Sequence, residues 1–171
     1  MTNIVRIGQL VSGACLLLAA GACNSTVAGT ASPAPTSVNP GADVFAGLNA
    51  CQVLERLTAG EGFGPGENIS RRNECDVLKP EFGTYGLALD PVQGLDEFAS
   101  SNSGVVTLTI NGRDAMQANF GAAGCAVAVE VAEHARAMVT VSMARTSEGA
   151  QACPNAVTFA EELEPLLPKV Q

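Results

Sequence analysis

Apolar and polar positions alternate with period two through much of the second half of the chain. Val127, Val129 and Val131 alternate with Ala128 and Glu130, and Val139, Val141 and Met143 alternate with Thr140 and Ser142. Successive side chains of a strand point to opposite faces, so each run predicts a strand with one large apolar face and one small or polar face. The polar break at Glu133-His134 between them predicts a hairpin. Cys125 and Cys153 bracket it, which suggests a disulfide tying the hairpin to whatever follows. The same alternation runs through Tyr85, Leu87 and Leu89, through Val106, Leu108 and Ile110, and through Met116, Ala118 and Phe120. Asn111-Gly112 between the last two is a strong two-residue hairpin turn. A short extended segment from Cys75 to Lys79 adds a further strand.

Helical spacing occurs at the two ends of this region. Asn49 is an N-cap with Gln52 three residues on, and Ala50, Val53, Leu54 and Leu57 follow as an apolar stripe that Gly60 stops. After Cys153, Pro154 suits a first helical turn. Ala156, Phe159, Ala160, Leu163 and Leu167 then form one stripe, Glu161, Glu162 and Glu164 face away, and Pro165 and Pro168 end the helix. Val92–Ser103 reads as a loop with one helical turn around Leu95 to Phe98. The predicted fold is α+β: a twisted antiparallel sheet of about five or six strands, with the N-terminal and C-terminal helices on one face.

The first residues change the picture. Met1–Ala22 carries one cation, Arg6, then an apolar run, and closes on Ala19-Ala20-Gly21-Ala22 before Cys23. This is the pattern of a secretory signal, too short and glycine-rich for a membrane span. Ala20-Gly21-Ala22-Cys23 resembles a bacterial lipobox, with Ala20 where leucine is usual. Cys23 is then the lipidated mature N-terminus, held on the outer face of the cell membrane by its acyl chains. Cys15 lies inside the apolar core, with Leu16-Leu17-Leu18 still to follow, and is rejected as the lipid site. Residues 23–43 are rich in Ala, Ser, Thr, Pro and Gly and carry no charge until Asp43, a composition that cannot bury a core and reads as a disordered tether. Residues 44–171 form a single domain.

Four cysteines remain after the signal and Cys23: Cys51, Cys75, Cys125 and Cys153. An even number in an exported chain reads as a disulfide framework with three possible pairings. The pairing favoured here joins Cys51 to Cys75, helix to first strand, and Cys125 to Cys153, hairpin to last helix. Oxidised cysteines cannot ligate zinc, and their spacing is unlike a pair of CxxC knuckles, so no metal or other cofactor is expected. The formal charge is −8, and without Arg6 eight Lys and Arg stand against 17 Asp and Glu. An acidic chain with no basic cluster beyond Arg71-Arg72 is a poor nucleic-acid binder.

Little in the chain suggests catalysis. His134 is the single histidine and sits at a hairpin tip. The glycines of Glu61–Ile69 follow a helix and lack a lysine, unlike a phosphate cradle, and read as a connector. The carboxylates Glu161, Glu162 and Glu164, and Asp96-Glu97, read as solvated faces. Arg113, just after the turn, could grip an anion or pair with its neighbour Asp114. The expected function is non-catalytic. A tethered binding or sensing module would use the small-residue face (Ala126, Ala128, Thr140, Ser142), or Arg113, against an envelope protein or small ligand. The alternative is a carrier of a lipid or other apolar molecule in a cavity between sheet and helices.

Several segments together resemble one family. Cys51-Gln-Val-Leu, Cys75-Asp-Val, Val106-Thr-Leu-Thr-Ile-Asn-Gly-Arg113-Asp-Ala, Cys125-Ala-Val-Ala-Val, Cys153-Pro-Asn-Ala and Leu166-Leu-Pro168 look like the actinobacterial lipoproteins grouped as domain of unknown function 3558. The resemblance runs from about Val44 to Pro168 and includes the lipid-anchor start. One departure is Asp76, where an aromatic often follows the second cysteine by one or two positions. The resemblance implies an envelope address and a fold similar to the extracytoplasmic sensor domains of certain actinobacterial kinases, with helices packed on a twisted antiparallel sheet. It implies no reaction and no ligand.

Overall fold

A computed structural model describes residues 44–169. The predicted signal peptide at 1–22, the predicted lipidation site Cys23, the predicted tether through 43 and the last two residues of the chain lie outside the described residues. The domain is α+β, with a seven-stranded, wholly antiparallel open sheet and two disulfides. Helix α1 (Ala50–Leu57) starts where Asn49 caps it, the Asn49 carboxamide accepting from the Gln52 N–H at 3.1 Å. The strands are β1 (Glu67–Asn68), β2 (Glu74–Lys79), β3 (Gly83–Asp90), β4 (Val106–Ile110), β5 (Arg113–Phe120), β6 (Gly124–Ala132) and β7 (Ala135–Met143). Helix α2 (Leu95–Ser101) lies between β3 and β4, and α3 (Ala152–Leu163) closes the fold after a 3-10 turn at Thr146–Gln151.

The strands lie in the order β1-β2-β3-β7-β6-β5-β4. After β3 the chain crosses to the far edge, and the meander β4 to β7 returns until β7 pairs with β3. The β6–β7 hairpin therefore lies inside the sheet, with Glu133-His134 as its two-residue turn. At the Asn111-Gly112 turn both residues have positive φ, 50° and 92°. That is the geometry of a type I′ turn, which glycine adopts without strain and asparagine tolerates.

Three features differ from the sequence expectation. The sheet has seven strands instead of five or six, because the glycine-rich connector contributes β1, two residues too short to alternate. The Val92–Ser103 segment holds a seven-residue helix, α2, started by the Glu97 carboxylate accepting from the Gly94 N–H at 2.7 Å. Glu164 does not face solvent with its neighbours, as described below. The apolar stripes behave as expected. Cys125, Val127, Val129, Val139 and Val141 are buried on one sheet face against α1 and α3, together with Leu54, Phe159, Ala160 and Leu163. We call this the first face.

Cys51 pairs with Cys75, 24 residues on, and Cys125 with Cys153, 28 residues on. The first ties α1 to β2; the second ties β6 to the start of α3. Cross-links over loops of this length stabilise by roughly 3–4 kcal/mol each through the unfolded chain. Replacing Cys125 or Cys153 with Ser is therefore expected to lower the Tm by about 10 °C or more. Thermal unfolding followed by circular dichroism checks this; a variant melting within a degree or two of the parent contradicts it.

Candidate functional site

The second sheet face carries the small and polar members of each strand, and it is divided in two. Over β5 and β6 lies α2. Its Phe98 is buried against Ala118, Ala126 and Ala128, with Leu95, Met116 and Met138 around it. Ala126 and Ala128 are thus the floor beneath a helix and not part of an exposed docking surface. Alanines leave room for a phenyl ring, and α2 supplies one.

Arg136, on β7, holds the approach to that helix. Its Nη1 donates to the Gly94 carbonyl and its Nη2 to Gln93 Oε1, both at 2.9 Å, while the guanidinium lies 5.7 Å from the Phe98 ring centre. Burial lowers its pKa from the ordinary arginine value, partly offset by Asp90 and Glu97. Sequence reading gave no signal for this residue, since an arginine in a strand looks like a solvated position.

Arg113 is likewise engaged. Its Nε donates to Glu164 Oε1 and its Nη2 to the Pro168 carbonyl, each at 2.6 Å, and its side chain is only 10% exposed. It does not pair with Asp114, because adjacent strand residues point to opposite faces. Arg113 faces the C-terminal turn, where it fixes the end of α3, and is not an exposed grip for an anion. His134 stays at its turn, 3.9 Å from Glu133.

Among the described residues, the other half of the second face, over β2, β3 and part of β7, has no helix on it. Thr140 and Ser142 lie here, half-buried, opposite Gly86 and Thr84. At the sheet margin a cleft of about 570 Å³ opens between the glycine-rich loop and the strands. Phe63, Pro65 and Ile69 line the loop side; Asp76, Leu78 and Thr84 line the strand side. Ile69 and Leu78 are each 59% exposed, large aliphatic side chains standing in water beside the same cleft. Paired exposed aliphatics around a concavity are a common mark of a contact site, whereas single ones scattered over a surface are not.

The loop is held at three points. Phe63 stacks on Tyr85 at 5.0 Å between ring centres, inside an aromatic group with Phe82 and Phe159. The Gly64 N–H donates to the Leu78 carbonyl at 2.8 Å. Gly66 rests on the Cys51–Cys75 disulfide, so close that a Cβ there would sit 3.0 Å from Cys75 Sγ. The connector of the sequence reading is in this way a fixed wall.

Asp76 is a charged group on the strand side of the cleft, and the exposed Glu67 lines the same cleft. Asp76 stands opposite Gly86, where a Cβ would run into both its carboxylate and the Thr140 hydroxyl. The bare glycine leaves these two polar groups facing each other across a small hollow. Burial raises the Asp76 pKa above the ordinary carboxylate value, and the nearby Glu74 charge raises it further. Among the described residues no group of three His, Cys, Asp or Glu is arranged to hold a metal ion. The site offers an apolar rim, a hydroxyl and a poorly solvated carboxyl, which suits reversible contact.

Comparison of the chain with protein-family models, with curated proteins and with solved structures finds no match.

Two expectations follow. Because the folded pKa of Asp76 is raised, its ionisation opposes folding: stability from this group is highest when it is protonated and declines as pH rises through the folded pKa. Asp76→Asn should therefore raise the Tm at pH 7, and the gain should shrink toward pH 4, as melting curves across pH will show. Arg136→Met should cost about 1–3 kcal/mol, because the Gly94 carbonyl loses its buried donor. Urea denaturation measures this, and an unchanged midpoint contradicts it.

Proposed function

We propose that this chain is an exported lipoprotein, anchored to the outer face of the cell membrane through Cys23, whose folded domain acts as a non-catalytic binding or sensing module of the envelope. The resemblance to the actinobacterial lipoproteins of domain of unknown function 3558 supports the address, as do the lipobox-like Ala20-Gly21-Ala22-Cys23 and the uncharged tether after it. The two disulfides agree with an oxidising compartment. The observation that carries the binding function is the cleft itself, where the exposed Ile69 and Leu78 flank the desolvated Asp76 carboxyl. A partner that fits presents an apolar group to the rim and a hydrogen-bond donor or a cation to Asp76. An envelope protein segment has that chemistry.

Packing favours this surface module over a carrier of lipid. Leu54, Leu87, Val139, Phe159 and Leu163 fill the space between sheet and helices and are all buried there. The non-catalytic reading is supported by the placement of His134 at a turn beside Glu133 and of Arg113 against Glu164.

Two measurements test the reading. Mass spectrometry of protein extracted from native membranes should find acyl chains on Cys23, and Cys23→Ser should release the chain into the medium. A photo-crosslinking amino acid at Leu78 should capture a specific envelope protein several-fold more efficiently than the same probe at the solvent-exposed Glu162. Equal capture from the two positions, or none from Leu78, contradicts the cleft as the contact site.

A further inference from the structure

The two edges of the sheet are treated differently. At one edge β1 is two residues long, and Glu67, Arg71, Arg72 and Glu74 surround it with charge. Short, charged edges are how sheets avoid pairing with other strands. At the other edge stands β4, Val106-Thr-Leu-Thr-Ile110, regular in register with β5 and without a charge, proline, glycine or bulge. Val106, Thr107 and Thr109 are exposed. Among the described residues the outer side of β4 has no strand partner.

The hairpin fixes which backbone groups point outward. Ile110 and Arg113 flank a two-residue type I′ turn and form its closing hydrogen-bonded pair. Counting back in steps of two, Leu108 and Val106 also bond inward to β5, which leaves the N–H and C=O of Thr107 and Thr109 directed away from the sheet. β4 is moreover close to a palindrome about Leu108. Laid antiparallel on a second copy, Leu108 meets Leu108, Val106 meets Ile110, and Thr107 meets Thr109. Apolar side chains then meet apolar ones on the first face and threonines meet threonines on the second. The outward groups of Thr107 and Thr109 are the ones that this register pairs. With no charge in the strand, the acidic chain meets its copy here without like charges directly opposed.

We infer that the β4 edge joins two copies of this chain into a dimer, by antiparallel pairing about a two-fold axis through Leu108, so that the two sheets continue into one. Such an interface is isologous and closes on itself. It leaves the cleft by β1 and β2 free at both distant ends of the joined sheet. The dimer does not depend on the proposed binding role of that cleft.

The test uses the full chain extracted in detergent. Leu108→Cys places two thiols at the axis, in a close non-hydrogen-bonded pair about 4.5 Å apart between Cα atoms, within disulfide range. Val106→Cys places them roughly 13 Å apart along the strand and serves as the control. Under mild oxidation Leu108→Cys should give a covalent dimer, with the Leu108→Cys peptide linked to itself by peptide mass mapping, while Val106→Cys should not. The parent protein should sediment as a dimer of the mature chain, and Thr107→Lys, an exposed change that leaves the β5 ladder intact, should sediment as a monomer that keeps the far-ultraviolet circular dichroism of the parent. A monomeric parent that gives no Leu108→Cys cross-link overturns the inference. So does a dimer that survives Thr107→Lys, equal cross-linking at Val106→Cys, or linkage of Leu108→Cys to a different protein.

Discussion

The pairing of β3 with β7 is the contact on which the rest of the domain depends. It runs from Gly83 opposite Met143 to Asp90 opposite Arg136 without a break in register. On one side of it lie β1 and β2, on the other the meander β4 to β6. Without this seam the chain would be two small sheets, each with an unpaired edge and half a core. With it, the valines of the hairpin and the leucines of β3 form one first face broad enough for α1 and α3 to cover together. The pairing is distant in the sequence, so loop closure must precede it. The two disulfides shorten the free chain on either side, one within each half.

The same seam creates the second face and its division. Where β7 meets β3, Gly86 lies opposite Thr140, and the missing side chain lets Asp76 and Thr140 face each other over bare backbone. Where β7 meets β6, the alanines admit Phe98, and Arg136 ties down the loop that leads to it. One strand thus carries a covered floor on one side and an open one on the other. The open cleft is stiff rather than loose, since its outer wall is anchored by an aromatic group, a backbone hydrogen bond and the Cys51–Cys75 disulfide. A preformed site of this kind loses little order when it makes a contact.

Much of the framework was legible in the residues. Period-two runs marked the long strands, Asn111-Gly112 marked the hairpin, Asn49 marked the start of α1, and the favoured cysteine pairing matches the disulfides. The parts that escaped are short or depend on distant partners. β1 is too brief to alternate, and α2 too brief to show a helical period. Whether Ala126 and Ala128 face solvent depends on Phe98, some thirty residues away, and no local pattern reports that. Arg113 looked free for the same reason: Glu164 reaches it only because α3 returns across the sheet. Nothing in the sequence around Asp76 marks a cleft, and only the fold places it in one.

Hydrogen–deuterium exchange of the intact chain tests the seam most directly. If β3 and β7 hold the domain as one unit, the inward amides of β3, β6 and β7 will exchange together, only through global unfolding, and more slowly than those of β1 and α2. Exchange of β2 and β3 in a separate, faster phase than β6 and β7 would contradict the account. It would mean that the two halves of the sheet open independently and that the cleft is not part of a single rigid face.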